Sequence, residues 1–315
     1  MKRLLLAAAA KPLILLVVLT TGAYAWEFPA AARLQWQAKA LSRGPMTPCA
    51  IFDGSHAGSK ADPAAKWDEA TMAAPLDAFF MSCFRRKLAA TLGKRDGDFA
   101  AGYAGLIAMI RELHAAYPAE QDVVSASQAT LRGLFPDWPP GAPQGEVGLL
   151  HWFKVLFARP FPAFSARLNA WVTLAAAQWL MGPCVLEDLV LPEGAAGGVD
   201  LGAAAAAEAR GEGGDEHGRR LGVLPQQKLV VRRCRYLEEA GCASVCVATC
   251  KLPTQRFFND DMGVPMRMLP DYETFECAFE FGVAPGAEDE AEARAVSCFS
   301  ACPSMRADQN RPSCT

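Results

Sequence analysis

Three cysteines spaced by four, Cys242, Cys246 and Cys250, lie among Ala, Ser, Val and Thr. In a helix this spacing puts the thiols on one stripe, each successive Cβ drifting by about 40° at 3.6 residues per turn. A stripe of thiols on a mostly apolar helix invites a metal, and the same geometry limits it. Eight residues of straight helix separate Cys242 from Cys250 by roughly 12 Å. One mononuclear site therefore cannot take all three unless the helix breaks. A second Cys-x-x-x-Cys follows at Cys298 and Cys302, with Pro303 after it. Thiolates from the two segments would supply a ligand set drawn from Cys242, Cys246, Cys250, Cys298 and Cys302, not all of which need bind. Cys234 and Cys277 are further candidates.

Other readings of these cysteines compete with metal binding. Cysteine is a small buried hydrophobe in many cores, and paired cysteines form disulfides in oxidising compartments. A disulfide between i and i+4 of one helix is strained, because side chains projecting in parallel fit the required dihedral poorly. Thiolates suit zinc or iron–sulfur clusters, whereas mononuclear oxygen-activating iron favours His and carboxylate. The four histidines, His56, His114, His151 and His217, all lie outside the cysteine run.

The sequence around the run is distinctive. Lys-Leu-Val-Val-Arg-Arg-Cys-Arg-Tyr-Leu-Glu-Glu-Ala-Gly-Cys from Lys228 leads into Val-Cys-Val-Ala-Thr-Cys-Lys-Leu-Pro-Thr-Gln-Arg-Phe-Phe and then Met-Gly-Val-Pro-Met. This stretch resembles the β-carotene isomerase family that opens strigolactone synthesis in plants. The resemblance takes in Phe84-Arg85-Arg86-Lys87-Leu88, Gly102-Tyr103-Ala104-Gly105-Leu106-Ile107, Gly182-Pro183-Cys184 and Cys302-Pro303. It implies an iron-containing plastid enzyme that turns all-trans-β-carotene into the 9-cis isomer at the C9–C10 double bond. The iron is mononuclear or in an iron–sulfur cluster, a choice the residues leave open. The substrate it implies is an apolar carotenoid.

Composition sets outer bounds. With 315 residues, 51% of them hydrophobic, and a net charge of −3, the chain has ample core and no basic footprint for nucleic acid. Residues 1–25 read as a signal-peptide-like segment, with Lys2, Arg3 and Lys11 before an apolar run and Ala23-Tyr24-Ala25 as a small-x-small cleavage pattern. Residues 26–74 open on an acid-poor, weakly basic stretch that suits a transit peptide or a flexible arm. A plastid reached through both signals is the destination expected, and secretion is the alternative.

Periodicity then predicts an α+β chain, with a helical region over 75–182 followed by a small cysteine-rich sheet domain over 183–303 and a tail over 304–315. Helices are expected over 76–92, from Asp98 to Tyr117, and over 120–134, with His114 toward the polar side. Residues 147–181 carry seven aromatics and are broken by Pro160 and Pro162. We read them as buried or interfacial and not membrane-spanning; the functional alternative is that these rings line a long apolar channel or dip into a bilayer, with the chain associated with a plastid membrane surface. Strands are expected over 185–191, 227–233, 264–269 and 274–281. Between the first two, residues 193–222 are nearly all Ala, Gly, Glu, Asp and Arg and read as a disordered insertion. A short helix after Pro253 and a last one over 290–300 complete the chain.

Rotating one double bond of a polyene requires a transient loss of bond order. Electron transfer at iron, protonation by a buried acid, or reversible covalent addition would each achieve it. Glu238 and Glu239, beside the cysteine run, are the candidate acids, and Cys246 is a candidate thiolate. Phe257, Phe258, Trp171 and Trp179 are candidate substrate-binding rings. A non-enzymatic reading also stands, as an iron–sulfur electron carrier or a disulfide-stapled domain that binds an apolar ligand.

Overall fold

A computed structural model of the chain describes residues 75–192, 221–287, 289, 291 and 295. Expectations for the two leader segments, for most of the 193–222 insertion, for Cys298 and Cys302 and for most of the last helix fall outside these residues.

The first half is helical. Helix α1 spans Pro75–Thr91 and stops at Gly93, whose φ of +70° suits a residue without a Cβ. Helix α2 spans Gly102–Ala116 and begins later than Asp98. Asp96–Asp98 instead forms one tight 3-10 turn, in which the Asp98 carboxylate accepts the Arg95 N–H at 2.9 Å. Phe99 therefore lies outside the helix. Helix α3 spans Glu120–Arg132. The aromatic segment makes α4, Gly148–Phe153, which widens into a π-turn at Lys154–Ala158. It then restarts as α5, Pro162–Ala176, with proline in its first turn, and the four-residue α6, Gln178–Met181.

The second half is built on four antiparallel strands in the order β1-β2-β4-β3. They are β1 Cys184–Pro192, β2 Leu221–Val231, β3 Met266–Pro270 and β4 Cys277–Phe281. Alternation puts Cys184 and Leu186, Leu229 and Val231, Cys277, Phe279 and Phe281, and Met266 and Met268 on one face. That face packs on the helices and forms the centre of the main core. The mixed chain is thus α+β, with the helices laid on one side of a small sheet.

Strand β2 starts six residues before the expected Gln227. Leu221 and Gly222 pair with Pro192 and Leu191, so the expected insertion is shorter by these two residues. The low-hydrophobicity pattern hid this pairing because Pro225 and Gln226 interrupt it. The strands shift register between Glu187 and Leu189, and there Gln226 takes φ +55° while its N–H donates to Asp188 Oδ1 at 3.0 Å. A bulge is where a strand tolerates a residue with no N–H to give.

The cysteine run is not one α-helix. Helix α7, Arg235–Ala240, is capped by Cys234, whose sulfur accepts the Leu237 N–H at 3.5 Å. It ends at left-handed Gly241. Helix α8, Ala243–Cys246, runs into a π-turn at Val247–Lys251, then α9, Leu252–Arg256, then a second π-turn at Phe257–Asp261. The short helix expected after Pro253 is α9, with Pro253 in its first turn, but it continues the run without a break. Pro253 stays inside this run, directly after the first π-turn, where the wider i→i+5 pattern accommodates a residue that cannot donate to Thr249.

Candidate active site

The residues that the sequence singled out meet where the inner face of the sheet touches α7 and α8. Cys184 and Cys277 flank Val231 in one cross-strand row, one on each neighbouring strand. Cys234 follows the end of β2, and its N–H donates to Phe275 O at 2.7 Å. Cys246 comes down from α8. All four of these cysteines are buried. Cys250, in the π-turn, is partly exposed, as is Cys242 at the start of α8. The seven described cysteines are free thiols, which lends no support to a disulfide-stapled domain among the described residues.

The thiols are close enough to act on one another electrostatically. Burial pushes the Cys184 thiol up to about 12 and the Cys234 thiol up to about 11, with Cys234 adding to the rise at Cys184. Burial likewise takes Cys250 to about 12, with a further rise from Cys234. Cys246 and Cys277 are raised well above the ordinary thiol range by burial first and neighbouring thiols second. The cluster is therefore neutral at physiological pH. That corrects the expectation of Cys246 as a thiolate nucleophile, since reactive cysteines need an electropositive and accessible setting.

Two tyrosines and an arginine complete the wall. Tyr236 Oη shares a hydrogen bond with Thr249 Oγ1 at 2.6 Å, and Thr249 in turn donates to Val245 O. Tyr103 donates to Leu180 O at 2.6 Å, and the Arg235 guanidinium lies over its ring at 3.7 Å. Burial lifts both phenols well above their usual range. Arg235 is itself buried and donates to Glu239 at 2.8 Å. Arg233 holds Glu238 with two bonds of 2.9 and 2.7 Å. Both candidate acids are thus partly exposed and accept from guanidinium groups, and neither is buried in an apolar setting.

The expected substrate rings fare differently from one another. Phe257 stacks on Phe135 at 5.3 Å, meets Phe258 edge-on, and Phe258 meets Phe281 in the same way. Trp179 is edge-on to Phe84 and donates to Ala176 O at 2.7 Å. These three belong to the core. Trp171 is half-buried on α5. The polar cavity lined by Arg132, Glu146, His151, Asp260 and Asp261 has about 130 Å³, below the roughly 300–1,000 Å³ of ordinary ligand pockets, and its walls are too polar for a polyene.

Among the described residues, no three or more His, Cys, Asp or Glu side chains are placed to hold a metal ion. Thiol proximity here is enough for electrostatic coupling but not for ligation, so the described residues by themselves do not fit iron. Cys298 and Cys302 lie outside them.

Several residues of the site carried no functional expectation: Cys184, Tyr103, Tyr236, Arg235 and His114. His114 is buried and not on the polar side, its Nε2 3.0 Å from Ser244 Oγ on α8. The usable signal was co-occurrence. Tyr103, Cys184 and Tyr236 all fall within the motifs that carried the resemblance, and the fold brings those motifs together.

Residues 179–290 match the family described as "Beta-carotene isomerase D27-like, C-terminal". This segment, about a third of the chain, is what is similar to that domain and is called the D27-like domain below. The protein "Beta-carotene isomerase D27, chloroplastic" of Medicago truncatula is 35% identical over 72 residues, 23% of this chain and 29% of that protein. The protein of the same description from Arabidopsis thaliana is 33% identical over 76 residues, 24% of this chain and 29% of its own length. The matched segment therefore spans less than a third of each of these relatives. No solved structure matches the chain. The D27-like domain contains the whole sheet, Cys184, Cys234, Cys246, Cys250, Cys277 and Tyr236. Tyr103 and Arg85 lie upstream of it, on the helices that pack against it.

Proposed function

We propose that the protein is a carotenoid cis/trans isomerase of a plastid, interconverting all-trans-β-carotene and its 9-cis isomer at the C9–C10 bond. The observation that carries this reading is that the D27-like domain holds a cluster of four buried thiols, with the partly exposed Cys250 and Tyr236 beside them. The two relatives bear the names of a chloroplastic β-carotene isomerase.

An isomerisation neither gains nor loses atoms or electrons, so whatever lowers the bond order must be returned within the turnover. The site's own residues bear on how. Glu238 and Glu239 are tied to Arg233 and Arg235, which disfavours protonation of the polyene by these carboxyls. The raised thiols disfavour thiolate addition. What the residues do supply is a dry wall of soft sulfur donors beside the Arg235–Glu239 ion pair. In it a polyene meets no competing water, and Tyr236 is fixed by Thr249. Iron, if it belongs to the reaction, would need ligands beyond those the described residues bring together.

The test is incubation of the full chain with a panel of all-trans and 9-cis carotenes in detergent micelles, with isomers resolved by chromatography. The reading requires approach to the same isomer ratio from both directions for at least one carotene. Folded protein that leaves every ratio unchanged would refute it.

A further inference from the structure

Helix α5 is amphipathic in the wrong sense. The face it turns to the protein buries Ser165, Ala166, Asn169 and Ala170, all small or polar. Its outer side and the turn before it present the large apolar residues. Phe161 is 57% exposed, Phe164 56%, and Leu156 and Phe157 on the preceding π-turn 53% and 44%. Leu168 and Trp171, at i+4 and i+7 from Phe164, continue this stripe half-buried. A surface helix ordinarily does the opposite, placing apolar residues inward.

Charge along this segment is one-sided, although Asp260 and Asp261 stand beside Lys154 at one edge. From Val147 to Met181 the chain has no Asp or Glu, but has Lys154, Arg159 and Arg167. Arg159 is exposed, and Lys154 donates to Asp260 O at the rim. No described helix is long and apolar enough to cross a membrane, and Pro160 and Pro162 divide this segment into two short pieces. Four exposed side chains also fall well short of the roughly 20–30 residues a side of a standard protein interface. Apolar insertion with basic flanks is the pattern of an element lying in the plane of a bilayer surface.

We propose that the outer face of α5 and of the π-turn before it, led by Leu156, Phe157, Phe161 and Phe164, docks the protein onto an anionic lipid bilayer. This rests on the carotenoid reading in one respect: a hydrocarbon polyene dissolves in the bilayer interior, so an enzyme acting on it gains by sitting there.

Flotation of the full chain with vesicles of phosphatidylcholine and phosphatidylglycerol tests it, with no carotene present. The wild type floats, binding weakens as salt rises, and the double variant Phe161→Ser/Phe164→Ser binds about tenfold or more weakly. Arg159→Glu weakens binding and flattens its salt dependence. Both serines replace exposed side chains, so circular dichroism and the rate of isomerisation in detergent micelles stay at wild-type levels. A wild type that remains in the aqueous layer, or a double variant that floats equally well, overturns the proposal. So does a dimer that the serine variant dissociates, which would assign this face to a second copy. Failure of micellar isomerisation with flotation intact would instead remove the isomerase reading and leave the docking surface standing.

Discussion

Cys184, Cys234, Cys246 and Cys277 are buried where water cannot stabilise a thiolate, and this fixes both their reactivity and their effect on stability. A thiol whose folded pKa lies above its unfolded value of about 9 contributes stability that is fully present below pH 9. That contribution is lost as pH rises through the folded values of about 11 for Cys234 and about 12 for Cys184. The metal-free protein should therefore lose stability to urea steeply between pH 9 and 11, where a Cys184→Ala/Cys234→Ala variant loses less. At pH 8, iodoacetamide should label Cys83 well before Cys246 or Cys277, which peptide mapping would show; labelling of Cys246 as fast as of Cys83 would contradict its burial. Gly105 offers a second test at this scale. A Cβ there would overlap the Ala100 carbonyl and stand 2.5 Å from Arg85 Nη1, while Arg85 already binds Asp96, Ala100 O and Gly102 O. Gly105→Ala should cost about 1–3 kcal/mol in thermal or chemical unfolding.

At the scale of elements, α7 is held by its two arginines. Removing one partner of a largely buried ion pair leaves an uncompensated charge, costing roughly 3–5 kcal/mol when burial is full. Arg235 and Arg233 are largely buried and their glutamates partly open, so Glu239→Gln and Glu238→Gln should each cost somewhat less, about 2–3 kcal/mol. Both variants should retain isomerisation under conditions where they remain folded. Loss of turnover without loss of stability in either one would restore the carboxyls as acids. Much of this architecture could be read from residues. The period-two run Cys277, Phe279, Phe281 announced β4, and the three- and four-residue steps of Tyr103, Leu106, Ile110 and Leu113 announced α2. What could not be read depended on partners remote in sequence. The start of β2 was hidden by a bulge whose logic lies in Asp188, and the start of α2 was displaced by a turn that Arg95 closes. The π-turns have no apolar period of their own.

At the scale of the whole molecule, the site was half legible. The cysteine spacing pointed to the run over Cys242, Cys246 and Cys250, and the resemblance pointed to the segment that the family description matches. The convergence of Cys184, Cys234 and Cys277 with Cys246 required the sheet, because three strands and a helix bring them together from positions up to 93 residues apart. The same applies to the rings. Phe257, Phe258 and Trp179 read as possible substrate contacts because aromatics are the same in a core and in a pocket. Only packing tells them apart, and it left Phe161 and Phe164 outside. The central claim is that the buried thiol cluster of the D27-like domain is where a carotenoid is isomerised. The most direct measurement compares wild type with Cys246→Ala and Cys277→Ala, both shown to be folded, for the rate at which all-trans-β-carotene yields the 9-cis isomer. The account predicts measurable turnover in the wild type and at least about a tenfold loss, some 1.4 kcal/mol of activation free energy, in each variant. Wild-type rates in both folded variants would contradict it.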